Sequence, residues 1–307
     1  MSFTTAGQHV GLDISRHTLR VVALRTFGRR HEVVTAGEAP IPEGLLSHGI
    51  ITDPGKFAQV VNRLLANANG QKITTKFVVS VLPESQTFLK TIPLTAAELA
   101  DPSAALRAAM PLHIPLTLDE VYYDWQLLVP VHPHEPTRVL VAAAPRTVVD
   151  SHLAALRQAK LVVLALEVEA IAIMRCLTRP DHLPAGPRVV LDIGAARTGL
   201  VLEHGGVPQL TVSLPISGNA ITAAIASRLK LSPSEAERAK VVCGLDGERC
   251  QGALRKILFS TIDDLAEKIQ AAVAFYRDTF ANPEPLAEII VSGGGANFRS
   301  IDAALAE

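Results

Sequence analysis

Apolar residues along this chain fall into short blocks, and two of the blocks are built alike. Val10 to Ile14 is a strand-like run containing Leu12-Asp13-Ile14, and Val189 to Ile193 is another containing Leu191-Asp192-Ile193. A short polar turn follows each: Ser15-Arg16-His17-Thr18 in the first case, Gly194-Ala195-Ala196-Arg197-Thr198 in the second. Each turn runs into a second apolar stretch, Leu19 to Leu24 or Gly199 to Leu202. This pattern predicts two β-hairpins with a carboxylate at the mouth of each turn, and hence two facing half-domains. A phosphate held between two such turns meets backbone N–H groups from both sides. The two aspartates then reach a hydrated Mg²⁺ rather than the anionic phosphates themselves.

Between the repeats the pattern changes period. Strands occupy the first forty residues and end near Pro40 and Pro42. Asp53 followed by Pro54 predicts a helix start, and Phe57, Val60, Val61, Leu64 and Leu65 give that helix one apolar face. Phe77 to Leu82 reads as a buried strand. Residues 84–159 read as an insert in β-α-β-β-α order. It has a strand from Phe88 to Leu94, a helix capped by Thr95 with Glu98 three residues on, and Pro111 and Pro115 as its stop. Strands at Val121 to Val129 and Val139 to Ala144 and a helix from Thr147 to Ala159 complete the insert. The aromatic cluster Tyr122, Tyr123 and Trp125 reads as its core or an interface. The chain then resumes with a strand at Leu161 to Leu166 and a helix at Val168 to Leu177. The second hairpin is followed by a strand at Gln209 to Leu214, a helix at Ser217 to Lys230 and another behind Ser232-Pro233. A long amphipathic helix covers about Gly252 to Phe280. A fully apolar strand, Ile289 to Val291, leads into Ser292-Gly293-Gly294-Gly295-Ala296 and a last helix.

Composition narrows the function classes. With 307 residues, about two domains are expected. Hydrophobic residues make up 48% of the chain, enough for a sizeable core. The formal net charge is −1, which argues against a nucleic-acid binder with its basic stripe. Met1 to Gln8 is polar, so no secretory signal is expected, and no run approaches the ~18 apolar residues of a membrane span. Cys176, Cys243 and Cys250 form neither a disulfide framework nor a CxxC pair, so a reducing, cytosolic setting is the expectation. His132 and His134 flank a proline but lack a third ligand, and read as an exposed loop rather than a zinc site. No Ser-His-Asp or Cys-His arrangement has supporting context.

Four stations suit one nucleotide. The two aspartate turns come first; singly, each is an ordinary turn residue, and the duplication is what gives them weight. Glu237 and Lys240 lie three apart on the predicted helix Ser234 to Lys240 and share a face, placed to bracket a ribose hydroxyl and an adenine edge. Alone, such a pair reads as a surface ion pair of little worth. The fourth station is Gly293-Gly294-Gly295, where three glycines exceed what a strand-to-helix turn needs and allow close approach to a flat ligand.

In this order the stations resemble the actin/Hsp70/sugar-kinase ATPase superfamily over essentially the whole chain. The Asp13 turn resembles its first phosphate motif, Asp192-Ile193-Gly194-Ala195 its second, and Ile290-Val291-Ser292-Gly293-Gly294-Gly295 its adenosine motif. Leu166-Glu167-Val168-Glu169-Ala170 falls at the first connecting helix, and Glu237-Arg238-Ala239-Lys240 is similar to the adenosine-holding helix of Hsp70. Within the superfamily the chain resembles the PilM family of type IV pilus assembly, through Val81-Leu82-Pro83-Glu84-Ser85-Gln86-Thr87-Phe88, Ile92-Pro93-Leu94, His113-Ile114-Pro115, Tyr123-Asp124-Trp125 and Leu214-Pro215-Ile216-Ser217-Gly218-Asn219.

The resemblance implies an α/β actin-like ATPase fold of two ribonuclease H-like domains, with an inserted FtsA-type 1C (SHS2-like) subdomain. The implied parts are domain 1 at 1–83, the insert at 84–159, a connecting strand and helix at 160–180, domain 2 at 181–285, and the adenosine motif with a last, apparently truncated helix at 286–307. It implies ATP and Mg²⁺ as ligands. Asp13, Ser15, Arg16, Thr18, Arg20, Asp192, Gly194, Ala195, Thr198, Glu237, Lys240, Gly293, Gly294 and Gly295 would bind the nucleotide, with Asp13 and Asp192 serving the metal through water. Any ATPase activity is slow at most, and Glu169 is the one candidate base. The implied partner is the N-terminal peptide of a PilN-like membrane protein at the pilus inner-membrane platform, with no nucleic acid and no direct membrane insertion. The setting is cytoplasmic, peripheral to the inner membrane, and ATP biases the partner-binding conformation. A small-molecule kinase of the superfamily, or a degenerate, non-hydrolysing scaffold of FtsA-like kind, are the alternatives. The first turn departs from the usual DIGS: Ser15-Arg16-His17 replaces the small residues, and Arg20 stands where a lysine is usual.

Overall fold

Two strand meanders, each followed by a parallel neighbour, organise the chain. The structure is a computed structural model and describes residues 8–28, 30–128, 136–178, 183–280 and 283–306. His132 and His134 lie outside the described residues. The chain divides into one unit of Met1–Leu89, Ala96–Gln126 and Val141–Ala172, and a second of Lys90–Thr95, Leu127–Leu140 and Ile173–Glu307.

The elements run β1 (Gln8–Ile14), β2 (Thr18–Phe27), β3 (Arg30–Pro40), β4 (Leu46–Ser47), β5 (Ile50–Ile51), α1 (Pro54–Asn67), β6 (Asn69–Gly70) and β7 (Phe77–Leu82). Next come β8 (Phe88–Pro93), α2 (Pro102–His113), β9 (Val121–Leu128), β10 (Arg138–Pro145), α3 (Arg146–Gln158), β11 (Val162–Val168) and α4 (Glu169–Leu177). The remainder is β12 (Arg188–Ile193), β13 (Thr198–His204), β14 (Val207–Leu214), α5 (Gly218–Leu229), α6 (Pro233–Cys243), α7 (Ala253–Thr279), β15 (Glu288–Ser292) and α8 (Ile301–Ala306).

The six-stranded sheet has the order β11-β7-β1-β2-β3-β6, and a four-stranded sheet the order β14-β13-β12-β15. Both contain the same device. An antiparallel meander (β3-β2-β1 or β14-β13-β12) is extended by a strand parallel to its first member, β7 on β1 and β15 on β12. The duplicated hairpins seen in the sequence therefore occupy equivalent interior places in two sheets of like order. A third sheet has the order β8-β10-β9.

Each unit has its own core. In the first, Val10, Leu12 and Ile14 of β1 and Leu19, Val21 and Ala23 of β2 alternate inward and meet Phe57, Ala58, Val61 and Leu64 of α1. Asp53 caps α1 by accepting from the Lys56 N–H at 2.9 Å, with Pro54 at the first turn. Helix α3 joins this core through Ala155 and Leu156, and Ser151 accepts from the Ile51 N–H at 3.1 Å. In the second unit Val189, Leu191 and Ile193 of β12 and Leu200 and Leu202 of β13 pack on α7 through Leu258, Leu265, Ile269 and Tyr276.

Several sequence expectations are corrected. The helix placed behind Thr95 begins at Pro102, because Asp101 caps it by accepting from the Ala104 N–H at 3.0 Å; Glu98–Ala100 is a separate 3-10 turn. Pro111 does not end it, since the helix continues to His113 with Ile114 N–H bonded to the Met110 carbonyl. The strand expected at Leu161 to Leu166 runs to Val168, held by its parallel pairing with β7 through Val168↔Leu82, so α4 starts only at Glu169. Cys243 and Cys250, read as unpaired, are joined in a disulfide with Cα atoms 5.8 Å apart. The turn of Cys250, Gln251 and Gly252 at positive φ folds the second cysteine back onto the end of α6. No helix among the described residues is long and apolar enough to cross a membrane.

Candidate functional site

In the first unit the β1–β2 register sets Asp13 opposite Arg20 and Ile14 opposite Leu19. Ser15 closes the turn: its N–H donates to the Thr18 carbonyl at 3.0 Å and its hydroxyl to the same oxygen at 2.9 Å. Arg16 and His17 are exposed at the tip. Arg20 reaches across the ladder to Asp13, NH1 to Oδ2 at 3.0 Å, and lies 3.5 Å from Glu38. Below the turn, buried Ser80 of β7 donates to the Leu12 carbonyl at 3.0 Å and locks the parallel neighbour in place. Glu169 opens α4, and its Oε2 accepts from the Glu84 N–H at 3.4 Å.

The second unit gathers more. Asp192 lies opposite Gly199 on β13 and beside Ser292 on β15. The Ser292 hydroxyl donates to Asp192 Oδ1 at 3.0 Å. The turn is closed by the Gly194 N–H on the Arg197 carbonyl at 2.9 Å. Thr198 is buried and its hydroxyl donates to the Ile216 carbonyl at 2.8 Å, so this side chain fastens the turn from beneath. Helix α5 docks its N-terminus here. Ser217 caps it, and the Gly218 and Asn219 N–H groups donate to the Gly194 and Ala195 carbonyls, each at 2.9 Å. Behind Gly218 stands Lys240 of α6. Its ammonium donates to the Gly218 carbonyl at 3.2 Å, the Thr222 hydroxyl at 2.9 Å and Glu237 Oε2 at 2.7 Å.

The three glycines after β15 are not equivalent. Gly293 has φ +77°, and a Cβ there would stand 2.6 Å from Asp192 Oδ1. A Cβ on Gly295 would overlap Ile193 Cγ2. Both must be glycine for the loop to lie against the second aspartate turn. Gly294 has an ordinary φ and, among the described residues, no neighbour within 4 Å of where its Cβ would be, so neither backbone conformation nor packing there requires glycine. A residue with no internal reason to be glycine, between two that have one, suits a surface left bare for a flat ligand.

The structure thus brings Asp192, Gly194, Ala195, Lys240, Glu237, Gly293 and Gly295 into one connected neighbourhood of the second unit, and Asp13, Ser15, Thr18 and Arg20 into one turn of the first. Thr198 is adjacent but faces inward. Sequence reasoning passed over three members. Ser292 is the partner of Asp192 only because β15 pairs parallel to β12, and Gly218 and Thr222 meet Lys240 only because α5 packs on α6. The one local signal was the Ser217 cap with Gly218 behind it. The residues of the second unit suit a nucleotide: a carboxylate beside a turn, a helix N-terminus, a Glu–Lys pair and a bare glycine.

The sequence model of the family described as type IV pilus assembly protein PilM matches residues 11–307. Among solved structures, the chain is similar to a PilM–PilN type IV pilus biogenesis complex, at 29% identity and a TM-score of 0.77, over 98% of this chain and 85% of that one. It is similar to the ethanolamine utilization protein EutJ from Carboxydothermus hydrogenoformans at 15% identity and a TM-score of 0.59, over 99% of this chain and 83% of that one. It is also similar to MreB5 of Spiroplasma citri bound to ADP, at 16% identity and a TM-score of 0.52, over 97% of this chain and 88% of that one. Together with the duplicated sheets, these likenesses establish the actin-like ATPase fold.

Proposed function

The chain belongs to the type IV pilus assembly protein PilM family, and from that premise we propose that it is a nucleotide-binding component of pilus assembly that docks the N-terminal cytoplasmic tail of a PilN-like inner-membrane protein. The PilN partner is supported by the likeness to a PilM–PilN complex. The bare Gly294 between two packing glycines is the observation that carries the nucleotide reading.

In this reading Gly293, Gly294 and Gly295 offer backbone to the adenine, and Glu237, held by Lys240, takes the ribose. Asp192, Gly194 and Ala195 form one phosphate-facing turn. Asp13, Ser15, Arg16, Thr18 and Arg20 form the other. Asp13 and Asp192 would hold Mg²⁺ through water, and the ion would offset phosphate charge. Glu169 orients water if hydrolysis occurs. ATP shifts the population of the conformer that the tail prefers, which requires different tail affinities in the two states. The protein sits in the cytoplasm and reaches the inner membrane through its partner.

Residues 84–159 are the proposed docking module, of 1C (SHS2-like) kind. The tail is extended and gains affinity from backbone bonds and a few anchors. Because α3 belongs to the core of the first unit, deletion of 84–159 would test folding rather than docking. Substitution of the exposed Tyr122 and Leu127 on β9, as Tyr122→Ala with Leu127→Glu, avoids this. The experiment is calorimetry with ATP and Mg²⁺ on the wild type and Gly294→Val, then tail binding with and without ATP. Nucleotide binding that Gly294→Val nearly abolishes supports the site. No ATP binding by the wild type removes it.

A second reading has its own observation. Arg20 already neutralises Asp13 at 3.0 Å, as expected of a scaffold whose first turn no longer serves a metal. Nucleotide binding without any Mg²⁺ dependence would favour it.

A further inference from the structure

Thr222 sits one helical turn into α5, four residues after Gly218 and so about 6 Å further along the axis. Its hydroxyl is the hub of a small polar cluster between α5 and α6. Oγ1 lies 2.9 Å from the Gly218 carbonyl, 2.6 Å from Glu237 Oε2 and 2.9 Å from Lys240 Nζ. Lys240 can only donate, so it donates to Thr222, whose single hydrogen then goes to the nearer and charged acceptor, Glu237 Oε2, in preference to the Gly218 carbonyl. All three ammonium hydrogens of Lys240 have partners: the Gly218 carbonyl, the Thr222 hydroxyl and Glu237 Oε2. Lys240 is therefore committed to the protein and has no donor left for a ligand.

Glu237 is placed differently. Thr222 and Lys240 both converge on its Oε2. Its Oε1 accepts no hydrogen bond among the described residues, and the side chain is 52% exposed. Burial is the largest single influence on its carboxyl and favours protonation. The bonds from Lys240 and Thr222 and the charge of Lys240 together outweigh burial and hold the pKa below the usual glutamate value. The outcome is an ionised carboxylate gripped by one oxygen and offering the other.

We propose that Thr222 is a positioning residue for sugar recognition: it fixes Glu237 through Oε2 so that Oε1 accepts from a ribose hydroxyl, and the site thereby selects ribonucleotides over deoxyribonucleotides. This rests on the reading of Glu237 as the ribose-facing group. Without the Thr222 hydroxyl, Lys240 loses one acceptor and Glu237 one donor. The freed ammonium hydrogen turns to the nearest remaining acceptor, the carboxylate, and competes with the sugar for Oε1.

The test is calorimetry with ATP, 2′-deoxy-ATP and 3′-deoxy-ATP on the wild type, Thr222→Val and Thr222→Ser. A hydrogen bond to a charged acceptor predicts about tenfold or greater preference of the wild type for ATP over at least one deoxy analogue. Thr222→Val should weaken ATP while leaving that analogue nearly unchanged, so the ratio falls toward one, and Thr222→Ser should restore it. Should Thr222→Val not fold, Lys240→Met removes the same clamp from the other side and is read by the same ratio. An unchanged ratio in a folded variant overturns the proposal, even if overall affinity drops. A wild type that binds ATP without preference also overturns it but leaves the nucleotide site standing. A wild type that binds no nucleotide overturns both.

Discussion

Asp13 and Asp192 occupy the same place in two like hairpins, yet their partners differ. Asp13 faces Arg20 across the ladder, whereas Asp192 receives the Ser292 hydroxyl from a parallel strand. The Arg20 pair is exposed and adds little stability, but it places a cation where a hydrated Mg²⁺ would compete. Arg20→Ala should therefore steepen the Mg²⁺ dependence of ATP affinity, measured with and without chelator; an unchanged dependence would place Asp13 outside the reach of the metal. His152 is the other residue with a readable consequence. It is fully buried, its Nε2 bonds to the Gly49 carbonyl at 2.9 Å, and its Nδ1 has no hydrogen-bond partner among the described residues. Burial lowers its pKa from the usual 6.5, and the Gly49 bond opposes this only in part. The folded state thus keeps His152 neutral where the unfolded chain begins to take a proton. Its contribution to stability is complete above pH 6.5 and is lost as pH falls through the lower folded value. In denaturant titrations across this range, His152→Leu should flatten the acid limb. An identical slope in the variant would show that other groups set it.

Helix α5 owes its position to its first residues. Ser217 is buried, caps the helix by accepting from the Ala220 N–H at 3.2 Å, and precedes the two N–H groups that grip the Gly194 turn. Ser217→Ala should cost about 1 kcal/mol in denaturant unfolding and should weaken ATP as well, because α5 carries Thr222 and the turn rests on it. Strands β12, β13 and β15 are tied by a charge. Arg188 and Glu203 are 3% and 1% exposed and bonded to each other. Arg188 also reaches Thr178 at 2.6 Å and Glu288 at 3.4 Å, and Glu203 takes the Gly206 N–H at 2.6 Å. Removing one partner strands a charge in the core. Arg188→Met alone should cost about 3–5 kcal/mol, and Arg188→Met with Glu203→Leu clearly less. Equal losses in the single and double variants would mean that the pair carries no mutual compensation.

At the scale of the molecule, the proposed switch has a thermodynamic signature independent of any structural detail. If ATP changes the affinity for a PilN-like tail by some factor, the tail must change ATP affinity by the same factor. Calorimetry of each ligand in the absence and presence of the other should return matching ratios, expected in the 5- to 150-fold range of ordinary coupling. A ratio of one in both directions would leave two independent sites on a passive adaptor. ATP alone should also raise the melting temperature, since a ligand at 100 times its Kd adds about 2.7 kcal/mol to the folded state.

What the sequence determined by itself was whatever local chemistry specifies. The LDI hairpins are visible because alternation and turn residues act over a few positions, and α1 because Asp53-Pro54 and the 57-60-61-64-65 spacing are contained in its own segment. The start of α2 was misplaced because Thr95 with Glu98 imitates a capping box, while Asp101-Pro102 offers a better cap six residues on. Tertiary structure alone decided the rest, because each remaining feature depends on residues far apart in the chain. Ser292 reaches Asp192 across 100 residues, and Lys240 meets Gly218 and Thr222 only through helix packing. Cys250 returns to Cys243 through a left-handed turn that its sequence does not announce. The three glycines look alike in sequence. Only the position of Ile193 and Asp192 separates the two that packing demands from Gly294, which it leaves bare.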